Sequence, residues 1–506
     1  MKIDYDIVII GSSIAGYEAA LTATQLQAKV ALVQPQVNYE FNYHYALSEL
    51  ANISQQCFDI NNLGIIAQNK TIQNIESDIY LNQHINDTKI PEKPGCVYSY
   101  KRASLYAQGI AANLNQIKSL ANLATQGVDV IIGRGKFQSF QQLGFAVNDR
   151  LLRARTYLLA CGSRPRIPDI EGLNTTGYLT LANIWQTLEK TKEKSNPPKN
   201  WVILGGLPQS IEIAQTLARL GFSVNLILNH PNVLSYLDPE ISQLLIAQLE
   251  ADGVKVFTQT IVTQVRQIED KKWVQAGDKA IETDEILVAI GQQPNIEDLN
   301  LANVGVKWYP RRLVVNEKLQ TTNRSIYACG DILGGYDIPN IANYEAKIAV
   351  KNALLFPRIA VNYSYIPWMI SSQPMVTQVG LTEPQAKRRY GKKEVLVFKN
   401  YFKSITAAQI KNKITGICKL IVLENGKILG CSILGAEAGE LINLVAFAMS
   451  ENLKVENLEN LASVYPSFSE ILAQTAGEWS KQRLNKNHIL QEFLQSFFHF
   501  RRDWNF

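Results

Sequence analysis

Twice in this chain an apolar strand runs into a glycine turn and leaves it as a helix, and that repetition limits the fold more than any other feature. Tyr5 to Ile10 is followed by Gly11-Ser12-Ser13-Ile14-Ala15-Gly16, a helix from Ala15 to about Gln27, and a strand from Lys29 to Val33. Trp201-Val202-Ile203-Leu204 leads into Gly205-Gly206-Leu207-Pro208-Gln209-Ser210-Ile211-Glu212, a helix from Pro208 to Leu220, and a strand from Ser223 to Leu228. Each is a βαβ unit, whose parallel strands must be covered on both faces, so the architecture is α/β. At 506 residues the chain exceeds one hydrophobic core and divides into about three domains. From about Phe356 strands precede helices, the texture of an α+β domain.

With 46% hydrophobic and 19% charged residues the chain is globular and not disordered. Its net charge of +5 is too small to point to a nucleic-acid partner. No apolar run is long enough to span a membrane, and Met1 to Asp6 opens into a strand without a signal peptide's apolar stretch, so the cytoplasm is expected. Cysteines stand at 57, 96, 161, 329, 418 and 431, without metal-ligand spacing or a secreted framework, so no metal is expected. Cys161 and Cys329 read as small packing residues. Cys418 and Cys431 flank a hairpin turned at Glu424-Asn425-Gly426-Lys427 and are expected to sit diagonally as two thiols.

The first turn has the form of a dinucleotide fingerprint. Gly11 makes the turn, Gly16 lets the helix approach the strand, and Ser13 takes the middle glycine position. The helix N-terminus offers backbone N–H groups and positive dipole to a pyrophosphate. Downstream, Ala160-Cys161-Gly162-Ser163-Arg164-Pro165 is a strand end with a glycine turn, and Ser325-Ile326-Tyr327-Ala328-Cys329-Gly330-Asp331 ends another strand in Gly-Asp. An aspartate there accepts hydrogen bonds from ligand hydroxyls, and Gly330 permits close backbone approach.

In this order and spacing the three segments resemble the two-dinucleotide flavoproteins. More closely, the chain resembles the pyridine nucleotide–disulfide oxidoreductases, the family of dihydrolipoamide dehydrogenase, glutathione reductase and mercuric reductase. The resemblance spans residues 4 to about 476 and includes Gly127-Val128-Asp129-Val130-Ile131-Ile132-Gly133, Ala289-Ile290-Gly291-Gln292-Gln293-Pro294-Asn295, Val379-Gly380-Leu381-Thr382-Glu383 and Gly435-Ala436-Glu437-Ala438-Gly439-Glu440. It implies an FAD-binding domain over 1–170 completed by 290–355, an NAD(P)-binding-like domain over 171–289, a dimerisation domain over 356–476 and a helical extension over 477–506. A homodimer follows from it. FAD is expected against Gly11, Ser12, Ser13, Ala15, Gly16, Gly162, Ser163, Arg164 and Gly330, with Asp331 at its ribityl–pyrophosphate region. Gln34 stands where the family has a glutamate for the adenosine ribose.

By the same resemblance, Gly205, Gly206 and Glu212 belong to an NAD(P)H fingerprint, but Leu207 and Ser210 replace its other glycines and Pro208 replaces an aromatic gate. Leu207 is expected to put a branched side chain in the phosphate's path. Leu228-Asn229-His230 offers neither the acidic group that favours NAD nor arginines for a 2′-phosphate. Nicotinamide nucleotides are expected to bind weakly or not at all; the other reading is a distorted loop that binds them through other contacts.

The family's redox centre, a cysteine pair with four residues between, has no counterpart in Asn38-Tyr39-Glu40-Phe41-Asn42-Tyr43-His44-Tyr45-Ala46-Leu47. The lysine that usually follows is missing too, which leaves Glu212 without its customary mate. Tyr465 stands in for the family's histidine base, and Glu470 is retained. A phenol of ordinary pKa near ~10 is a poor general base at neutral pH but can donate a hydrogen bond or a proton. Tyr39, Tyr43, His44 and Tyr45 either fill the volume of the lost disulfide loop or line a stacking pocket for a quinone, with His44 as its titratable group.

From Trp479 onward, Ile489, Leu490, Phe493, Leu494, Phe497 and Phe498 form an apolar helical stripe followed by Arg501, Arg502 and Trp504. It reads either as a helix packed on the dimer or as a peripheral membrane or partner anchor. The expected function is an FAD-dependent oxidoreductase whose electrons leave the flavin for a small-molecule or protein acceptor that is not a disulfide. The alternatives are a non-catalytic FAD-bound assembly or sensor protein, and an NAD(P)H-dependent diaphorase of the dihydrolipoamide dehydrogenase type with atypical residues.

Overall fold

A computed structural model describes residues 3–34, 41–62, 100–139, 143–190, 198–335 and 338–504. Its first sheet is five-stranded and parallel, with Tyr5–Ile10 at the centre between Val30–Gln34 and Ala154–Leu159, and with Asp129–Ile132 and Ile326–Ala328 on the two edges. Successive residues of the central strand go to opposite cores. Ile7 and Ile9 pack among the alanines of helix Ile14–Gln25 and helix Pro339–Leu354, and Val8 and Ile10 pack against Phe137, Phe145 and Val147 of a small antiparallel sheet. Burial on both faces is why the strand reads as an unbroken apolar run.

The second sheet repeats the plan. Asn200–Leu204 is central, between Ser223–Ile227 and Glu285–Val288, with Val254–Phe257 and Leu179–Thr180 outside. In both sheets the strand order reverses at the central strand, so a crevice opens at the strand C-termini, where dinucleotides bind in such folds. A third sheet is antiparallel, in the order Trp368–Ile370, Met375–Gly380, Ile428–Gly435, Ile417–Leu423, Val395–Tyr401, and is backed by helices Ala438–Ser450 and Glu470–Lys486. Cys418 pairs with Ile433 and Cys431 with Leu420, so the two cysteines are diagonal, and both are free thiols. Hydrogen bonding with Cys418, then burial, pushes the Cys431 thiol up.

Two local expectations change. The helix expected from Arg102 to Ala124 is two, Tyr100–Ile117 and Leu120–Thr125, because Ser119 accepts from the Asn122 N–H and starts a new N-terminus. The stretch after Asn38 contains a helix, Phe41–Asn62, that the aromatic reading missed. Helix Glu470–Lys486 runs unbroken through residue 477, where the extension is expected to begin, and buries Trp479 in the third sheet's core. Tyr39, the Cys96 position, most of the polar stretch 61–96 and the linker 191–197 lie outside the described residues, as does the side chain of Cys57.

Candidate active site

The first glycine turn is built to admit a ligand. Gly11 has a φ of 105°, and a side chain there would collide with the Ala160 carbonyl; one on Gly16 would collide with the Gly11 carbonyl. Ser13 begins the helix, yet its Oγ donates to the Ala160 oxygen at 3.1 Å and leaves the helix's first N–H groups uncapped. Such groups carry positive partial charge and suit a pyrophosphate. Beside them is Gly162, with a φ of 65°, where a side chain would meet only Ser13 Cβ at 4.0 Å. At the end of the neighbouring strand, Gln34 Oε1 is buried without a hydrogen-bond partner among the described residues. A ribose hydroxyl donating to it would satisfy that oxygen. These residues fit FAD.

The Gly330-Asp331 turn closes the site's floor. Gly330, at a φ of 77°, donates its N–H to Glu345 Oε2 at 2.7 Å, and the Tyr363 hydroxyl donates to Glu345 Oε1 at 2.6 Å. Burial pushes this carboxyl up to about 7 in spite of both bonds. Sequence reasoning missed Glu345, the one acidic residue of helix Pro339–Leu354. Ser163 pairs with Pro294 across a short antiparallel ladder. Arg164 bonds Pro294 O and the carboxylate of Glu297, so the structure gives it the task of fastening that ladder. The Cys161 thiol donates to the Ile10 carbonyl at 3.1 Å, and burial pushes it up to about 12, too high for a nucleophile at neutral pH.

The second turn is bonded to itself. Ser210, fully buried where a third glycine was expected, accepts from the Gly206 N–H at 3.3 Å and donates to the Leu207 carbonyl at 2.6 Å. Leu207 is half-buried and packs against the core cluster around Ile211 and Trp201. The expected obstruction by Leu207 is therefore corrected: hydrophobic burial draws it inward, and Ser210 is what occupies the turn. The Glu212 expectation is corrected as well. His44 Nε2 lies 3.1 Å from Glu212 Oε2, both residues are buried, and Glu212 Oε1 accepts from the Ser371 N–H at 2.7 Å. Glu212 has a mate, supplied by the helix after the first βαβ unit.

That helix also explains the aromatic cluster. Tyr43, Ala46, Leu47 and Leu50 follow i, i+3, i+4, i+7 spacing and pack into one core with helix Pro208–Arg219 and Trp185. His44 stacks on Trp185 with ring centroids 5.5 Å apart and planes 20° apart, and the Tyr43 hydroxyl bonds Ser104 Oγ at 2.8 Å. Trp185 thus covers one ring face of His44, in keeping with the alternative in which these aromatics fill space. His44 Nδ1 is buried with no partner among the described residues. Farther along the same helix pair, Arg219 donates to Asn52 Oδ1, to Asp252 Oδ2 at 2.9 Å and to Gln373 O at 2.9 Å. Trp185, Ser371 and Arg219, which complete this junction, were invisible to motif reading.

Tyr465 and Glu470 are not drawn into that cluster. Tyr465 is 71% exposed, and its hydroxyl lies 3.4 Å from Thr406 Oγ1 as donor; Glu470 accepts from the Ser467 N–H at 2.9 Å. Both stand on the surface of the third domain.

Comparisons with known proteins agree with this geometry. Residues 5–349 match the pyridine nucleotide-disulphide oxidoreductase family, and residues 366–476 match the dimerisation domain of the same family. The chain is 28% identical over 488 residues to a mercuric reductase of Staphylococcus aureus, covering 94% of this chain and 83% of that one. It is 28% identical over 480 residues to a dihydrolipoyl dehydrogenase of Bacillus subtilis, covering 92% and 96%. Among solved structures, the HOCl-induced flavoprotein disulfide reductase RclA of Escherichia coli superimposes with a TM-score of 0.75 at 23% identity, covering 94% and 99%. With two dinucleotide-type sheets, an antiparallel third domain and a family match over most of its length, this chain belongs to the pyridine nucleotide-disulphide oxidoreductases.

Proposed function

We propose that this protein is an FAD-dependent oxidoreductase whose acceptor is not a disulfide. FAD, when bound, supplies hydride and single-electron transfer. The observation that carries the reading is the buried His44–Glu212 pair: it stands at the head of the helix after the first βαβ unit, within residues 38–47, which contain no cysteine. Gly11, Gly16, Gly162 and Gly330 bring backbone close to the cofactor, Gln34 holds its ribose, and Asp331 accepts from its hydroxyls. Glu212 orients His44 through Nε2. The unpartnered Nδ1 is left to hold a proton, a task suited to an imidazole. Tyr43 and Trp185 exclude water from the pair.

In the second domain, Ser210 engages an N–H that a pyrophosphate would need, so reduced nicotinamide nucleotides are weak donors. The matched dimerisation domain and the exposure of Tyr465 support a homodimer in which Tyr465 and Glu470 face the partner subunit.

The test is an anaerobic titration of the purified yellow protein with NADH and then NADPH. Turnover of oxidised lipoamide is then compared with that of dichlorophenolindophenol and benzoquinone. The dye or the quinone is expected to turn over, with lipoamide inert and half-bleaching only at high nucleotide concentration. Lipoamide reduction at a rate similar to the dye defeats the acceptor reading, and bleaching at micromolar nucleotide defeats the donor reading.

A further inference from the structure

Helix Glu470–Lys486 is fastened to the third domain by buried Trp479, by Ser480 on Glu459 and by Arg483 on Glu456. Asn487 then caps a new helix, His488–Asp503, by accepting from the Leu490 N–H at 3.0 Å. None of the residues of that helix is buried. At 3.6 residues per turn, Ile489, Leu490, Phe493, Phe497, Phe500 and Trp504 fall on one arc about 100° wide. Gln491, Glu492, Gln495 and His499 lie on the other side together with Phe498, while Leu494 and Ser496 flank the arc. The aromatic side chains stack on one another, Phe493 on Phe497 at 6.2 Å and Phe500 on Trp504 at 4.8 Å. Exposed Arg501 and Arg502 stand at its C-terminal end and Lys486 precedes it, whereas Lys481 and Arg483 are paired with Glu478 and Glu456.

We propose that this helix lies in the surface of an anionic phospholipid bilayer and holds the flavoprotein there. Three features select that occupant. The apolar arc is broader than the narrow two-position seam of a helix pair between two copies. It is rich in Phe and ends in Trp, the residues that settle at the boundary between acyl chains and headgroups. Lys486 at one end and Arg501 and Arg502 at the other complement anionic headgroups, and Arg501, at the edge of the arc, reaches them while its stem stays in the apolar layer. No helix among the described residues is long and apolar enough to cross a membrane, so the attachment is to one surface. The inference is independent of the acceptor and donor readings above.

The experiment is flotation of the full-length flavin-loaded protein with vesicles of phosphatidylcholine alone or mixed with phosphatidylglycerol. The protein is expected to float with the mixed vesicles, less with the neutral ones, and less as salt is added. Phe493→Ser with Phe497→Ser is expected to lower binding at least ~10-fold, with flavin content and dimer mass unchanged. Gln491→Ser with Gln495→Ser, on the opposite face, is expected to bind as the parent does and controls for helix stability. Failure of the parent to float with mixed vesicles overturns the proposal, as does equal binding by the Phe variant. Dissociation of the dimer by the Phe variant would assign the face to a second copy instead.

Discussion

The two glycine turns of this protein share one architecture and differ in what they leave free. Around Gly11, hydrogen-bonding capacity points outward: the helix N–H groups are uncapped, and Gln34 Oε1 is buried without a partner. Around Gly205 the helix N–H groups are likewise without a side-chain cap, but the Gly206 N–H of the turn is engaged by Ser210 Oγ, which in turn donates to the Leu207 carbonyl. One hydroxyl in place of a hydrogen atom is enough for that, because the turn brings residues i and i+4 within reach. The two turns thus share a backbone plan and differ at one N–H, which in the second is bonded to Ser210.

The largest expected effect contrasts the first glycine of each turn. Gly11→Ala forces a Cβ into the Ala160 carbonyl at a positive φ, and loss of bound flavin with ~4 kcal/mol or more of destabilisation is expected. Gly205→Ala meets only the tips of Leu226, Leu228 and Ser210, at 2.8–3.0 Å, and should cost about 1 kcal/mol. Urea unfolding and flavin absorbance read both, and equal losses would erase the distinction between the turns.

Next is the junction behind the second turn. Glu212→Ala leaves His44 and the Ser371 N–H without their acceptor, and a loss of about 3 kcal/mol is expected in urea midpoints. Glu212→Gln, which can keep the bond from Ser371, should lose about half of that. A neutral result for Glu212→Ala would reduce the pair to incidental packing.

Behind the first turn sits Glu345. Its carboxyl moves from 4.5 to about 7 on folding. Between those values the folded chain keeps a proton that the unfolded chain has released, so stability falls as pH rises through the window and levels off above it. For the flavin-free protein the fall is up to ~3 kcal/mol. Glu345→Gln should flatten it while keeping the bonds to Gly330 and Tyr363; an unchanged pH profile would mean that another group titrates.

The smallest effect sharpens the contrast directly. Ser210→Gly returns the Gly206 N–H to the crevice and is expected to lower the NADH or NADPH concentration for half-bleaching several-fold, at a cost of about 1 kcal/mol in the helix. An unchanged half-bleaching concentration would show that Ser210 does not set the affinity.

Much of the fold was legible because its strands are buried on both faces. Ile7 to Ile10 and Trp201 to Leu204 are uninterrupted apolar runs, and each glycine turn sits where a strand must become a helix. Helix Phe41–Asn62 carries helical spacing at Tyr43, Ala46, Leu47 and Leu50, a signal that the aromatic and asparagine-rich residues at its start obscure. Trp479 was assigned to the extension because a resemblance marks where similarity fades, not where a core stops. The candidate site was only half legible. Gly11, Gly16, Gly162 and Gly330 announce themselves by position, whereas the mate of Glu212 stands 168 residues away.

By itself, the sequence determined two βαβ units, an α+β third domain and an amphipathic tail. These are properties of short segments, in which residue type and spacing suffice. Only the tertiary structure decided that His44 meets Glu212, that Trp185 fills the space beside it, that Ser210 closes its own turn and that Glu345 is buried under Gly330. Those outcomes depend on how helices Phe41–Asn62 and Pro208–Arg219 dock and on which atoms lose water when they do, and such contacts join parts of the chain that no local pattern links.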